Sequence, residues 1–146
     1  MGLLDSTSVI ATGLTAQALR MDVISENIAN INTTRTDDGT AYKRKTVIFE
    51  EKGSTSPFGL YFNEATGLTS DTRGVQVSKI VEDDSKGALM YDPSHPDAND
   101  EGYVQMPNVN IVEEMVNMIS ASRSYEANVT AMGATKAMVT KTLEIK

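Results

Sequence analysis

The chain has no cysteine, no tryptophan, three phenylalanines and one histidine. Each shortage removes a class of function. Without cysteine there is no disulfide framework, no thiolate nucleophile and no cysteine-based zinc site. With aromatics at 5% of 146 residues, a large packed core is hard to build, and alanine, valine, isoleucine and eight methionines supply the apolar content instead. Methionine adapts to irregular surfaces and suits helix seams that meet several neighbours. No segment reaches the roughly 18 apolar residues that span a bilayer. The start lacks a basic region and a continuous apolar stretch, since Leu3-Leu4 is followed at once by Asp5, so no cleaved secretory signal is expected. Gly2 to Ser6 fits a short myristoylation pattern, but a helix start capped by Asp5, Ser6 or Thr7 is the simpler reading.

Positive charge is also scarce. The formal net charge is -7, of which residues 1–33 carry -2, residues 34–106 carry -5 and residues 107–146 carry none. A nucleic-acid partner would call for the opposite sign in a clustered patch, so none is expected. Lys43-Arg44-Lys45 is the only basic run, and it reads as a solvated strand start answered by Glu50 and Glu51.

The apparatus of catalysis is missing as well. His95 lies near Asp92, Asp97 and Asp100 and invites a metal reading, and Asp97 to Gly102 loosely follows a calcium loop. The twelfth loop position is Asn108 rather than a bidentate glutamate, and Pro107 intrudes before it. A solvated, proline-punctuated turn fits better. No Gly-x-Ser-x-Gly elbow, glycine-rich phosphate loop or His-Glu-x-x-His pair is found. Neither an enzyme nor a cofactor nor a small-molecule substrate is expected.

What the chain does have is an apolar stripe near each end. The first runs Leu3, Ile10, Leu14, Gln17, Met21, Ile24, Ile28, Ile31; the second runs Ile111, Met115, Met118, Ser122, Tyr125, Val129, Met132, Lys136, Val139, Leu143. From Ile10 and from Ile111 the steps alternate between four and three residues, the spacing of a seam that one helix buries against another. Helices are predicted over about Thr7–Ile31 and Asn110–Leu143. Gly13 inside the first admits a close approach. The first should end near Asn30-Ile31-Asn32, with asparagine in a left-handed cap, and Asn108 or Asn110 should cap the second. The longer helix cannot be covered by the shorter one alone, so part of its seam should meet other subunits; a plain intramolecular hairpin is the competing reading.

Between the helices the pattern changes. Asp38-Gly39 signals a turn. Ala41–Glu51, Gly59–Asn63, Gly74–Val81 and Ala88–Tyr91 read as strands of a small antiparallel sheet of three to five strands. Asp92 to Gly102, with Pro93 and Pro96, reads as an extended loop leading to the second helix. The predicted class is α+β: long N- and C-terminal helices pairing as an antiparallel coiled-coil-like hairpin, with a small antiparallel β insert and long loops. The expected divisions are 1–33, 34–106 and 107–146.

Two segments resemble the flagellar basal-body rod and hook family: Gly13-Leu14-Thr15-Ala16 with Asn27-Ile28-Ala29-Asn30 and Asn32-Thr33, and Ser124-Tyr125-Glu126-Ala127-Asn128 with Leu143-Glu144-Ile145. Tyr103 to Asn110 and Glu114 to Ile119 resemble its short proximal-rod members. Thr34–Thr40 departs from the pattern as an insertion before Ala41-Tyr42-Lys43-Arg44, which leaves the exit path of the first helix open. The resemblance implies a structural subunit, exported without a cleavable signal by the flagellar type III apparatus. Such proteins assemble in the periplasmic space into the shaft that transmits torque and encloses the export channel. Partners would be copies of itself, other proximal and distal rod proteins and the adaptor between rod and membrane ring. On that reading the subunit-packing set is Leu14, Met21, Asn27, Ile28, Asn30, Met115, Met118, Tyr125, Val129, Met132, Val139 and Leu143. Asn27 and Asn30 would fix the turn or bridge subunits. The alternative is a soluble helical adaptor with a β insert, unrelated to motility.

Overall fold

The computed structural model describes residues 3–52 and 74–144. The expected strand over Gly59–Asn63, Gly2, and the side chain of Leu3 lie outside the described residues. Helix α1 spans Leu3–Ala29 and helix α2 spans Ile111–Glu144. At about 1.5 Å per residue they are about 40 and 51 Å long. Between them come strands β1 (Lys45–Glu51), β2 (Val75–Glu82), β3 (Leu89–Tyr91) and β4 (Tyr103–Gln105).

The helices pack against each other as an antiparallel pair. Asn27 near the end of α1 bonds Glu114 near the start of α2, while Gly13 faces Asn128 further along. A Cβ on Gly13 would lie 3.2 Å from Asn128 Nδ2, so the missing side chain sets the local spacing. Carried on in this register, the first residues of α1 fall opposite the region of Met138. The last turn of α2 therefore projects past its partner, and Leu143 is 80% exposed.

The helix ends differ from expectation. α1 begins at Leu3, so Asp5, Ser6 and Thr7 lie inside its first turns rather than capping it. It ends without a left-handed asparagine, since no non-glycine described residue has positive φ. Tight turns close it instead: Ile31 N–H donates to Ile28 O and Thr33 N–H to Asn30 O. α2 is capped by Asn110, whose Oδ1 accepts from Val112 N–H at 3.0 Å.

The described strands form two separate antiparallel ribbons, β1–β2 and β3–β4, rather than one sheet. In the first, Lys45 pairs with Glu82 and Glu51 with Val75, and a bulge at Ile48/Phe49 shifts the register. This ribbon lies against α1. The second is a hairpin with Leu89 opposite Gln105 and Tyr91 opposite Tyr103. Its connection is Asp92–Gly102, so that segment is a folded turn, not an extended lead into α2. Asp92 N–H donates to Gly102 O, and Asp92 Oδ1 accepts from Ser94 N–H. Gly87 is pinned beside the second ribbon, because a Cβ there would sit 2.0 Å from Met106 O.

Candidate assembly surface

Where α1, β1 and α2 converge, the molecule holds a polar node. Asn27 and Glu114 are each 1% exposed. Asn27 Oδ1 accepts from Tyr42 O–H and from Lys45 N–H, both at 2.9 Å. Its Nδ2 donates to Lys45 O at 2.9 Å and to Glu114 Oε2 at 3.0 Å. All four bonds open to an amide side chain are thus made within the chain, and none is left for a neighbouring subunit. Glu114 Oε1 accepts from Arg44 Nε at 2.8 Å and lies 2.7 Å from the second guanidinium nitrogen, which also reaches Glu113 at 3.2 Å. Asn108 Oδ1 takes Arg44 N–H at 2.7 Å, and its Nδ2 donates to Asp83 O.

The electrostatics follow from this enclosure. Burial, with the nearby charges of Glu26, Glu82 and Glu114, pushes the Tyr42 hydroxyl up to about 12, because a phenolate here would lose water and face three carboxylates. Burial alone would depress the Arg44 guanidinium, but its bonds to Glu114 and the charges of Glu114, Glu113 and Asp83 raise it overall. Lys45 pairs with Glu26 and lies 5.6 Å from the Tyr42 ring centre, and Lys43 pairs with Asp84. The basic run is therefore answered by Glu26, Asp84, Glu113 and Glu114, not by Glu50 and Glu51.

The node also accounts for the insertion after α1. Asn30 Nδ2 donates to Glu26 O and its Oδ1 accepts from Thr33 O–H, which holds the turn. Tyr42 N–H then donates to Thr33 O at 3.1 Å, so the chain leaves and returns at one point. Gly39, at φ 75°, turns the loop. Thr34 and Arg35 tie it to Asp97 at 2.8 and 3.2 Å.

Along α2 the buried seam runs one residue earlier than the apolar stripe at alternate positions. On α2 the buried residues are Glu114, Ala121 and Thr135, at heptad spacing with half-buried Asn128 between them. Met118, Tyr125, Met132 and Val139 from the expected set flank this seam and are half-buried. Met115 is 51% exposed, and Val129 and Leu143 are exposed too. On α1, Ala16, Val23, Ile24 and Asn27 are buried, while Leu14, Met21 and Ile28 are half-buried. Close helix contact is made by small or fully bonded polar residues, which a search for large apolar ones passes over. The large residues that remain outside form a row of Val112, Met115, Val116, Ile119 and Val129 on α2, all exposed.

No catalytic arrangement emerges among the described residues. His95 Nδ1 accepts from Asp97 N–H at 3.1 Å, and no group of three or more potential metal ligands occurs there. A groove of about 430 Å³ between α1 and the first ribbon is lined by Ser8, Thr12, Thr15 and Val75 among others, with Lys52 the one charged residue among the described lining. No described helix is long and apolar enough to cross a membrane.

An exposed apolar row beside a completed internal seam is the construction of a subunit, and comparison with known proteins gives that subunit a family. The sequence model described as flagella basal body rod protein matches residues 9–35, and that of the flagellar basal body rod FlgEFG protein C-terminal region matches residues 100–145. The flagellar basal-body rod protein FlgC of Bacillus subtilis (strain 168) is 51% identical over 144 residues, covering 96% of this chain and 95% of its own. The chain belongs to the FlgC family of flagellar basal-body rod proteins. The FlgC of Borreliella burgdorferi is 48% identical, covering 99% of this chain and 98% of its own. That of Escherichia coli O6:H1 is 39% identical with the same coverage. The two family matches fall on the helices, the turn after α1 and the approach to α2, so the rod-protein models coincide largely with the packed pair. An adaptor unrelated to motility finds no support in these matches.

Proposed function

We propose that the chain is a non-enzymatic structural subunit of the proximal part of the flagellar rod, joined to its neighbours through the outer faces of α1 and α2. One observation carries this reading: Val112, Met115, Val116, Ile119 and Val129 are exposed on a helix that already buries Glu114, Ala121 and Thr135. Apolar residues repeated along one helix face favour a second helix as occupant. In the division proposed here, 1–33 and 107–146 form the axial part and 34–106 the outward part. The net charge of -5 over 34–106 against zero over 107–146 supports that orientation. Neighbours would be copies of the chain, the other proximal and distal rod proteins and the adaptor to the membrane ring. Delivery would be by the flagellar type III apparatus into the periplasmic space, with no cleaved signal, and the finished shaft would carry torque around the export channel.

Deleting the gene and imaging isolated basal bodies by electron microscopy tests this. Basal bodies that keep the membrane ring and lose the rod, restored by the wild-type chain, are expected. Intact rods and normal swimming would overturn the proposal.

A further inference from the structure

Of the six described glycines, five answer to a demand inside the chain. Gly39 and Gly102 have positive φ, and a Cβ on Gly13, Gly74 or Gly87 would meet a neighbour at 3.2 Å or closer. Gly133 answers to none. It lies inside α2 without a positive φ, and a Cβ there would meet nothing within 4 Å. Glycine is among the least favourable residues in a helix interior, because it gives up the most backbone freedom. Packing and backbone geometry within the chain would both accept alanine here.

The weak point is narrow. Ala131, Ala134 and Ala137 surround it in sequence, and alanine is the best helix former, so the loss of rigidity is confined to one position. Two carbonyls beside it are shared: Glu126 O accepts from Thr130 O–H and Ala131 O from Thr135 O–H, both at 2.9 Å. Back-bonds of this kind loosen a helix and often bend it. Two residues before buried Thr135, Gly133 stands about 160° round the helix from the seam, and it is exposed. That is the side on which helical bonds lengthen when a helix curves around its partner. Beyond Gly133 the hold of α1 fades: Thr135 is 6% exposed, whereas Thr142, one heptad on, is exposed.

We propose that Gly133 is a hinge in α2, about which residues 134–144 change their angle to the rest of the helix pair. The helical bonds donated by residues 134–137 close around Gly133, and stretching them there disturbs no side-chain packing. Thr135 lies next to the pivot and stays against α1 while the far end swings. The hinge is a property of the free chain. Its use is to let the overhanging end of α2 meet neighbours set at different angles, and that use rests on the rod-subunit reading above.

Gly133→Ala removes the hinge and adds no contact within the chain. In the purified full chain, hydrogen exchange at the amides of residues 134–137 should slow about fivefold, the factor that separates alanine from glycine in a helix. Moving the glycine by one residue, Gly133→Ala with Ala134→Gly, should return the wild-type rate. In the cell, Gly133→Ala should reduce swimming and the double change should restore it. Equal exchange in Gly133→Ala and the wild type would overturn the hinge. Slowed exchange with unaltered swimming would overturn its role in assembly. Loss of swimming that the double change fails to restore would overturn it too, and assign Gly133 to the close approach of a neighbouring helix. The exchange measurement is read on the free chain, so its failure is distinct from failure of the rod reading, which gene deletion tests.

Discussion

The two sides of α2 invert the usual association between apolarity and burial. The side facing α1 carries Glu114, Ala121, Asn128 and Thr135, and three of these four are buried. The flank and back of the helix carry Met115, Val116, Ile119 and Val129, and all are exposed. Small residues bring two helix axes close, and the two polar side chains buried there are bonded, Glu114 to Asn27 and Arg44 and Thr135 to Ala131 O. On the proposed assembly, the large apolar groups are kept for contacts made after folding. A helix face is read correctly only when both its residue sizes and its polar partners are considered.

Breaking the inner side should cost the most stability. Glu114→Ala leaves Arg44 without its buried partner and Asn27 with an unmet donor. About 3–5 kcal/mol of folding free energy should be lost, read as a fall in the urea midpoint followed by helical circular dichroism. A smaller change would mean that Arg44 relaxes outward to Glu113, and that the node is a rim rather than a centre.

Filling the seam is the next test. Ala121 is fully buried between the helices, so Ala121→Leu should overpack it and cost about 1–3 kcal/mol. An unchanged melting temperature would show that the pair has slack.

A pH titration separates Tyr42 from its neighbours. The folded hydroxyl titrates near 12, above the ordinary value of about 10. Between those values the unfolded chain has lost a proton that the folded chain keeps, so stability falls as pH rises through this window. Below about pH 10 the contribution is complete. Tyr42→Phe should remove this alkaline slope and leave the neutral-pH fold in place. If the slope survives in Tyr42→Phe, another group is responsible.

The outer side should respond in the opposite way. Val129→Asp is a surface change for the isolated chain and should shift its stability by no more than about 0.5 kcal/mol. In the cell the same carboxylate would be buried at a subunit contact, so motility should be lost. Swimming at wild-type speed would remove this row from the assembly surface.

These contrasts also show what the sequence made legible. Helix number, antiparallel pairing and strands β1, β2 and β3 follow from heptad and alternating patterns, which depend on residue type alone, whereas β4 and the split into two ribbons do not. The phase of the seam does not. Met115 and Val129 outrank Glu114 and Asn128 in apolarity, yet the latter face α1: Glu114 is buried with partners distant in sequence, and Asn128 lies against Gly13, which has no side chain. Glu114 needs Arg44, and Asn27 needs Tyr42 and the backbone of Lys45. A usable sign was present: Glu114, Ala121, Asn128 and Thr135 repeat at seven-residue intervals, as does the apolar stripe. The charges of Lys43-Arg44-Lys45 were assigned to sequence neighbours, whereas the fold supplies Glu26, Asp84 and Glu113–Glu114. The return of the chain at Tyr42 was likewise hidden, since it rests on one backbone bond to Thr33 across the insertion.

The unequal lengths of the helices have a mechanical consequence. A unit whose longer helix overhangs the shorter has no flat end. In the assembly proposed above, each junction would be bridged by the overhang of the unit beside it, like bricks laid in running bond. A twisting load would then find no single cross-section along which every contact ends, and slip at one level would drag against intact helix above and below.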